Sequence, residues 1–372
     1  MLTGRALASF RKSLLAWFHQ FQRDLPWRKT KDPYRIWLSE IMLQQTRVAA
    51  VIPYYERFLE RFPNLQTLAN APEEEVLRLW SGLGYYSRAR NLQKAARQIV
   101  AEFGGTFPKR RDSMLSLSGI GDYTASAIAS IAFQEKCAVL DGNVARVLSR
   151  VGAIRGNLRE SKKWQALQEE SDRLLDRNSP GDWNQAMMEL GAMLCTPRAP
   201  QCLICPVARH CEGRKQGIAE SLPETGKKQE LVDVNLLALV LVNPKGETLL
   251  LPPPSVKNPR SIPDHIPTLV ANLWHFPTIA ANGGLMEAAS ESWKKINRGQ
   301  KFPETIVPLQ MVRHAVTFRK VTVNGFLVPI SRLPKVKGAE TLDLRQVTHR
   351  AVSNLTRKIA GRALSALIAK LH

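Results

Sequence analysis

Apolar residues in the first part of the chain recur every three or four positions, the spacing that lays one stripe along an α-helix. Phe10, Leu14, Phe18 and Phe21 set the pattern. They predict a structural helix that runs into Asp24-Leu25-Pro26-Trp27-Arg28 rather than a transit peptide, although Met1 to Arg23 hold no acidic residue. The same spacing continues to about Arg214, broken at Arg61-Phe62-Pro63-Asn64, Gly104-Gly105 and Ser179-Pro180-Gly181. Between Gly213 and Glu230 the chain turns polar, with Pro223, Gly226 and paired lysines, and reads as a linker. Beyond it the texture becomes strand-like. Leu231 to Val242, a turn at Asn243-Pro244-Lys245-Gly246, and Thr248 to Leu251 predict a hairpin. Val316 to Val323, Asn324-Gly325, and Phe326 to Val328 predict a second, because Asn-Gly favours a tight hairpin turn. Helical spacing returns from Val347 to Leu371. The expected architecture is a mainly α domain over residues 1–214, a linker over 215–230 and a smaller α+β domain over 231–372.

Composition narrows the class. The 372 residues are enough for two domains of roughly 150 residues each. At 44% apolar and 23% charged, the chain is neither largely disordered nor fibrous. Its 53 Lys and Arg against 32 Asp and Glu leave a net charge of +21, which points to a polyanionic partner. The excess is shared, with 32 basic and 22 acidic residues up to Pro223 (+10) and 21 and 10 beyond it (+11), so a basic tail does not account for it. No stretch approaches the roughly 20 uncharged apolar residues of a membrane span, so nothing here crosses a membrane, and the polyanion is either nucleic acid or an anionic membrane surface. The expectation is a cytoplasmic monomer.

Cys195, Cys202, Cys205 and Cys211 give C-x6-C-x2-C-x5-C within 17 residues. Thiolates so spaced suit an iron–sulfur cluster in a reducing compartment. Zinc on four cysteines is the competing reading, although zinc ribbons usually carry two C-x2-C pairs. Leu117-Ser118-Gly119-Ile120-Gly121-Asp122-Tyr123 places glycines Gly119 and Gly121 at a tight turn into a helix, suited either to an anion at the free amides or only to turning between helices. The segment resembles a helix-hairpin-helix, which grips a DNA phosphate without reading sequence.

Two carboxylates stand out. By helical phase Glu40 shares an arc with Trp37, Ile41, Gln44 and Val48, so it either sits dry enough to keep a proton near neutral pH or edges out to solvent. Asp141 follows the apolar Val139-Leu140 and opens another helix, where Asp is a preferred N-cap. An N-cap Asp stays ionised and can also face a developing cation. Tyr85 and Tyr86, in Gly82-Leu83-Gly84-Tyr85-Tyr86-Ser87-Arg88, sit on a glycine-flexed turn, suited either to entering a base stack or to packing between helices.

Together with Ser39 to Thr46, Leu140 to Val147 and Asn184 to Gly191, these segments resemble the endonuclease III superfamily of DNA glycosylases and, within it, the adenine DNA glycosylase (MutY) family. The resemblance covers about Arg23 to Cys211. It implies that Glu40 protonates the adenine, that Asp141 lies beneath the sugar with Asn143 in support, and that the four cysteines hold a [4Fe–4S] cluster. It also implies that Leu25, Trp27, Arg28 and Gln185 line the adenine pocket beside Gln44, and that Gln45 and Tyr85 enter the duplex. Tyr123 stands where strand-cleaving relatives carry a Schiff-base lysine, which implies base removal alone.

The C-terminal part, with Leu273-Trp274-His275-Phe276-Pro277, resembles the family's Nudix-like domain that reads 8-oxoguanine. It lacks the spaced glutamates of a pyrophosphohydrolase. Where the family's lesion-reading loop has Phe-Ser-His, this chain has Val316-Thr317-Phe318, so only Thr317 keeps the hydroxyl. The implied activity is excision of adenine mispaired with 8-oxoguanine or guanine. Its partner is mismatched double-stranded DNA, alongside other repair proteins, in a bacterial, nucleoid-associated setting. The competing readings are a thymine or oxidised-pyrimidine glycosylase and a non-catalytic DNA-binding protein.

Overall fold

The computed structural model describes residues 2–224, 230–253, 273–281, 283–297, 300–316 and 319–369. The chain forms two compact units. The first comprises Met1–Ala71 and Ser87–Lys228, the second Pro72–Tyr86 and Gln229–His372. Among the described residues no helix is long and apolar enough to cross a membrane.

The first unit is helical. Helix α1 (Gly4–Phe21) buries Phe10, Leu14 and Phe18, whereas Phe21, the last residue of the predicted stripe, is 54% exposed. Helix α2 (Pro33–Leu43) starts where Asp32 accepts a hydrogen bond from the Tyr34 amide and Pro33 presets the first turn. It is followed by α3 (Val48–Arg61) and α4 (Leu65–Asn70). Helices α6 (Ser87–Glu102), α7 (Arg111–Met114), α8 (Asp122–Phe133), α9 (Gly142–Val151), α10 (Ser161–Leu174), α11 (Pro180–Met193) and α12 (Glu212–Lys215) complete the unit. Helix α8 is the centre of the packing. Every residue from Thr124 to Ile131 is buried, so it is apolar or small on all sides, and α2, α7 and α11 pack on it.

In the second unit a mixed sheet runs in the order β4-β5-β1-β2-β6, with β3 (Thr278–Ala280) also paired to β1. Strand β1 (Val232–Val242) lies parallel to β5 (Arg319–Pro329) over its whole length, from Val232 opposite Arg319 to Val242 opposite Pro329. Residues Leu236 to Val242 are all buried. That continuous apolar run is the signature of a strand covered on both faces. Helices α13 (Leu285–Ile296) and α14 (Asn354–Ala369) both pack on it. The first predicted hairpin is present as β1 and β2 (Glu247–Leu250), with Asn243 Oδ1 accepting the Lys245 and Glu247 amides in the turn. Strand β2 then pairs with β6 (Glu340–Asp343).

The second predicted hairpin is not where Asn324-Gly325 placed it. Both residues lie inside β5, and the strand that folds back on β5 is β4 (Val307–Val316). Hydrogen bonding on both edges, to β4 and β1, overrides the turn preference of Asn-Gly. Gly325 serves there as a close-approach position, since a Cβ would stand 3.1 Å from Leu309 Cδ1. The C-terminal helix also begins later than its apolar pattern: residues Leu344–His349 form a 3-10 turn, and α14 starts after Ser353 accepts the Thr356 amide.

Candidate active site

Glu40 stands on the inner face of α2 and is 7% exposed. Its phase relative to Trp37 and Ile41 follows the sequence pattern. Gln44 and Val48 do not share the helix, because α2 ends at Leu43 and Gln44 is its C-cap. Tyr123, in the first turn of α8, donates its hydroxyl to Glu40 Oε2 at 2.7 Å and lies 3.1 Å from the Met188 sulfur. Burial pushes the Glu40 carboxyl up to about 7, the Tyr123 bond opposes this, and Asp141 reinforces it. Asp141 caps α9 as the sequence predicts: Oδ1 accepts the Val144 amide at 2.7 Å and Oδ2 accepts Asn143 Nδ2 at 3.1 Å. Burial raises Asp141 as well, and the Val144 and Asn143 donors pull it back. Both carboxyls are raised by burial, and they differ in that the Asp141 anion has the Val144 amide and Asn143 to stabilise it.

The two acids line a cavity of about 550 Å³, together with Leu25, Trp27, Arg28, Gln44, Gln45, Tyr123, Asn143 and Gln185. That size takes a nucleobase with room for part of its sugar. Gln45 has φ of 55°, an uncommon conformation for a residue other than glycine. Gly119 has φ of 78°, and a Cβ there would come 2.7 Å from Asn91 Cβ, so the turn into α8 requires glycine. Gly121 is the N-cap of α8 in open space. Tyr85 belongs to the second unit, 41% exposed with φ of 47°. Thr317 lies outside the described residues.

Three supporting residues escaped the sequence pattern. Glu189, on α11 and only 1% exposed, grips Arg23 (Nε 2.8 Å, Nη2 2.5 Å) and Arg28 (Nη1 and Nη2, both 2.9 Å). Burial alone would raise this carboxyl, but the two guanidinium forks outweigh it and hold it at about 2. The available signal was spacing, since Glu189 follows Gln185 by one helical turn. Arg88 donates to the carbonyls of Ile41, Met42 and Gln44 at 2.8, 2.9 and 2.6 Å, closing the end of α2 beside Gln45. Arg146 donates to Asn143 Oδ1 and to the Gly191 and Cys195 carbonyls, each at 2.8 Å.

Residues 38–172 match the model of the HhH-GPD superfamily base excision DNA repair proteins. Over 229 residues the chain is 48% identical to the adenine DNA glycosylase of Rattus norvegicus, a match covering 58% of this chain and 44% of the rat protein. It is 44% identical over 206 residues to the adenine DNA glycosylase of Buchnera aphidicola subsp. Baizongia pistaciae, covering 55% of this chain and 58% of that protein. The chain belongs with the DNA glycosylases of base excision repair. It spans about half the length of these curated relatives. A thermostable thymine-DNA glycosylase structure superposes with a TM-score of 0.52 at 30% identity, covering 56% of this chain and 97% of that one.

This DNA glycosylase also brings its four late cysteines together. Cys195, Cys202, Cys205 and Cys211 line one small apolar void with Val147, Leu190, Leu194 and Val207. Arg150 Nη1 lies 3.3 Å from Cys195 Sγ, and Cys211 Sγ donates to the Arg150 carbonyl at 3.3 Å. Among the described residues no three His, Cys, Asp or Glu side chains converge as they would on a single ion. Four thiols around one void are a donor set that either an iron–sulfur cluster or zinc accepts.

Because burial raises Glu40 from an ordinary 4.5 to about 7, the native state holds a proton that the unfolded chain has released between those pH values. The ionised buried carboxyl then weighs against folding above about pH 7, and the penalty vanishes below the unfolded value. Glu40→Gln is thus expected to raise the thermal midpoint at pH 8, by a stability increment of up to about 3 kcal/mol, and to leave it unchanged near pH 4. Thermal unfolding at both pH values checks this; equal midpoints for variant and wild type at pH 8 would place Glu40 in water.

Proposed function

We propose that the protein is a monofunctional DNA glycosylase that hydrolyses the N-glycosidic bond of adenine mispaired with 8-oxoguanine or guanine in duplex DNA. The observation that carries this reading is the pairing of a dry Glu40 with a separately anchored Asp141 in one base-sized cavity. The reaction leaves an oxocarbenium-like sugar and an anionic base, and each carboxyl meets one of these charges. Neutral Glu40 delivers its proton to the extruded base, at N7 as the family resemblance implies, so that the base departs neutral. Asp141, whose anion the Val144 amide and Asn143 stabilise, faces the sugar and offsets its positive charge. Tyr123 orients the Glu40 carboxyl through the 2.7 Å bond, and its phenol offers no amine for a Schiff base. Strand cleavage is therefore no part of the reaction.

The base must leave the stack before Glu40 reaches it. The turn at Gly119 and Gly121 supplies α8 amides for a phosphate, Gln45 and Tyr85 enter the duplex, and the net charge of +21 supplies the general attraction. Cys195, Cys202, Cys205 and Cys211 hold a [4Fe–4S] cluster, which closes their loop. Its backbone is tied to Asn143 by Arg146, so the loop props up the Asp141 end of the site. The second unit is the reader of 8-oxoguanine, as its Nudix-like order implies. Thymine excision is the competing reading, favoured by the solved thymine-DNA glycosylase; the adenine reading rests on the higher identities, 44–48% against 30%.

A panel of mismatched duplexes separates the two. Adenine should be released from pairs with 8-oxoguanine and guanine, leaving an intact abasic strand, and release of thymine in its place would overturn the assignment. Under single-turnover conditions Glu40→Gln should slow release by about two to four orders of magnitude. For the wild type, the rate should fall as pH rises through about 7, where Glu40 loses its proton. Elemental analysis should find four irons per chain, with Cys205→Ser depleting them. Zinc without iron would refute the cluster.

A further inference from the structure

The turn that carries Tyr85 is built by the second unit. Residues 81–86 follow helix α5 (Glu73–Trp80), and four side-chain hydrogen bonds join them to residues 352–357 at the start of α14. Ser81 Oγ and Tyr86 Oη both donate to the Val352 carbonyl at 2.8 Å, which uses both of its lone pairs. Asn354 Nδ2 donates to the Gly82 carbonyl at 2.9 Å, across 272 residues of sequence. Arg357 Nε donates to Ser81 Oγ at 3.0 Å while its Nη2 binds the Thr348 carbonyl.

The turn so held is an unusual one. Gly82, Gly84 and Tyr85 have φ of 115°, 74° and 47°, and Tyr85 pays the steric cost that glycine avoids. A side chain in that conformation persists only where its surroundings dictate the backbone. Trp80 Nε1 binds the Gly84 carbonyl from one side. The remaining anchors named here come from the far end of the chain.

We propose that Asn354 and Arg357 are positioning residues for Tyr85: they fix the left-handed turn in the shape that presents the Tyr85 ring to the duplex. The inference rests on the reading above, in which Tyr85 enters the duplex. Its consequence is that the last helix, in the part of the chain assigned to reading the opposite base, also sets the wedge that opens the stack.

Hydrogen–deuterium exchange on the full-length protein tests the placement directly. Asn354→Ala and Arg357→Ala should each speed amide exchange within residues 82–86 by about tenfold or more, with peptides from α2 unchanged. Tyr86→Phe deletes only a hydroxyl, keeps the ring in place, and should have the same local effect, while Arg357→Lys restores part of the protection. With 2-aminopurine beside the lesion, the two alanine variants should lose most of the fluorescence change that insertion of the ring produces. Their single-turnover rates should fall towards that of Tyr85→Ala, and combination with Tyr85→Ala should add no further loss. Unchanged exchange across 82–86, or losses that multiply with Tyr85→Ala, would overturn the proposal. A wild-type protein that released no adenine would instead sink the glycosylase reading, and the exchange comparison would still decide this one.

Discussion

The dehydration of one carboxyl governs the rest of the site. Glu40 sits inside the first unit, and among the described residues its side-chain donor is Tyr123, at 2.7 Å. A charge there is costly unless it is paired, and among the described residues no cation is bonded to it: Arg28, which lowers its proton affinity electrostatically, is turned into the grip of Glu189. The site thus separates two solutions to buried charge. Glu189 is ionised and doubly paired, so it is a fixed part of the wall. Glu40 is left with little to stabilise its anion, so its proton is held near neutrality and is available for transfer.

That arrangement depends on rigid placement of three helices, and much of the rigidity comes from buried arginines that bind backbone carbonyls. Arg88 closes the end of α2, Arg146 ties α9 to α11 and to the cysteine loop, and Arg150 binds the Leu222 and Thr196 carbonyls. Gly191 allows α11 to approach this network, since a Cβ there would lie 2.8 Å from Asn143 Cβ. A guanidinium has five donors in a planar fork, so one side chain can satisfy several of the carbonyls that helix ends leave open. The strong positive charge of the chain is therefore only partly a surface property; several of its arginines are internal struts.

The places of Glu40 and Asp141 in the fold were legible in the sequence because each acid is set by local rules. Glu40 follows helical phase, and Asp141 follows N-cap chemistry. The walls at Leu25, Trp27, Arg28 and Gln185 came from the family resemblance, and the cavity gathers them. What local rules missed was decided at long range. Glu189 acquires its role from arginines 161 and 166 positions away. Asn324-Gly325 would turn in isolation, but β1 and β4 hold it straight from both sides. Residues Pro72–Tyr86 read as one more step in a helical run, and their membership of the second unit comes from Val352, Asn354 and Arg357.

The two residues expected to probe the duplex share a backbone device. Gln45 and Tyr85 both take positive φ without being glycine, and each stands beside an arginine anchored elsewhere in its own unit. For Gln45 this is Arg88, which binds the Gln44 carbonyl and Thr46 Oγ1 on either side. For Tyr85 it is Arg357, acting through Ser81. An extended backbone would let either side chain fold back along the surface. A left-handed residue at a tight turn projects outward instead, and the cost of the strain is met by hydrogen bonds that are in place before DNA arrives. On the proposed reading, pre-setting the probe in this way leaves less ordering to be done on binding, so that more of the contact energy remains to open the stack. Function here draws on the same resource as stability: polar groups so fully engaged that neither the acid nor the probes have another place to go.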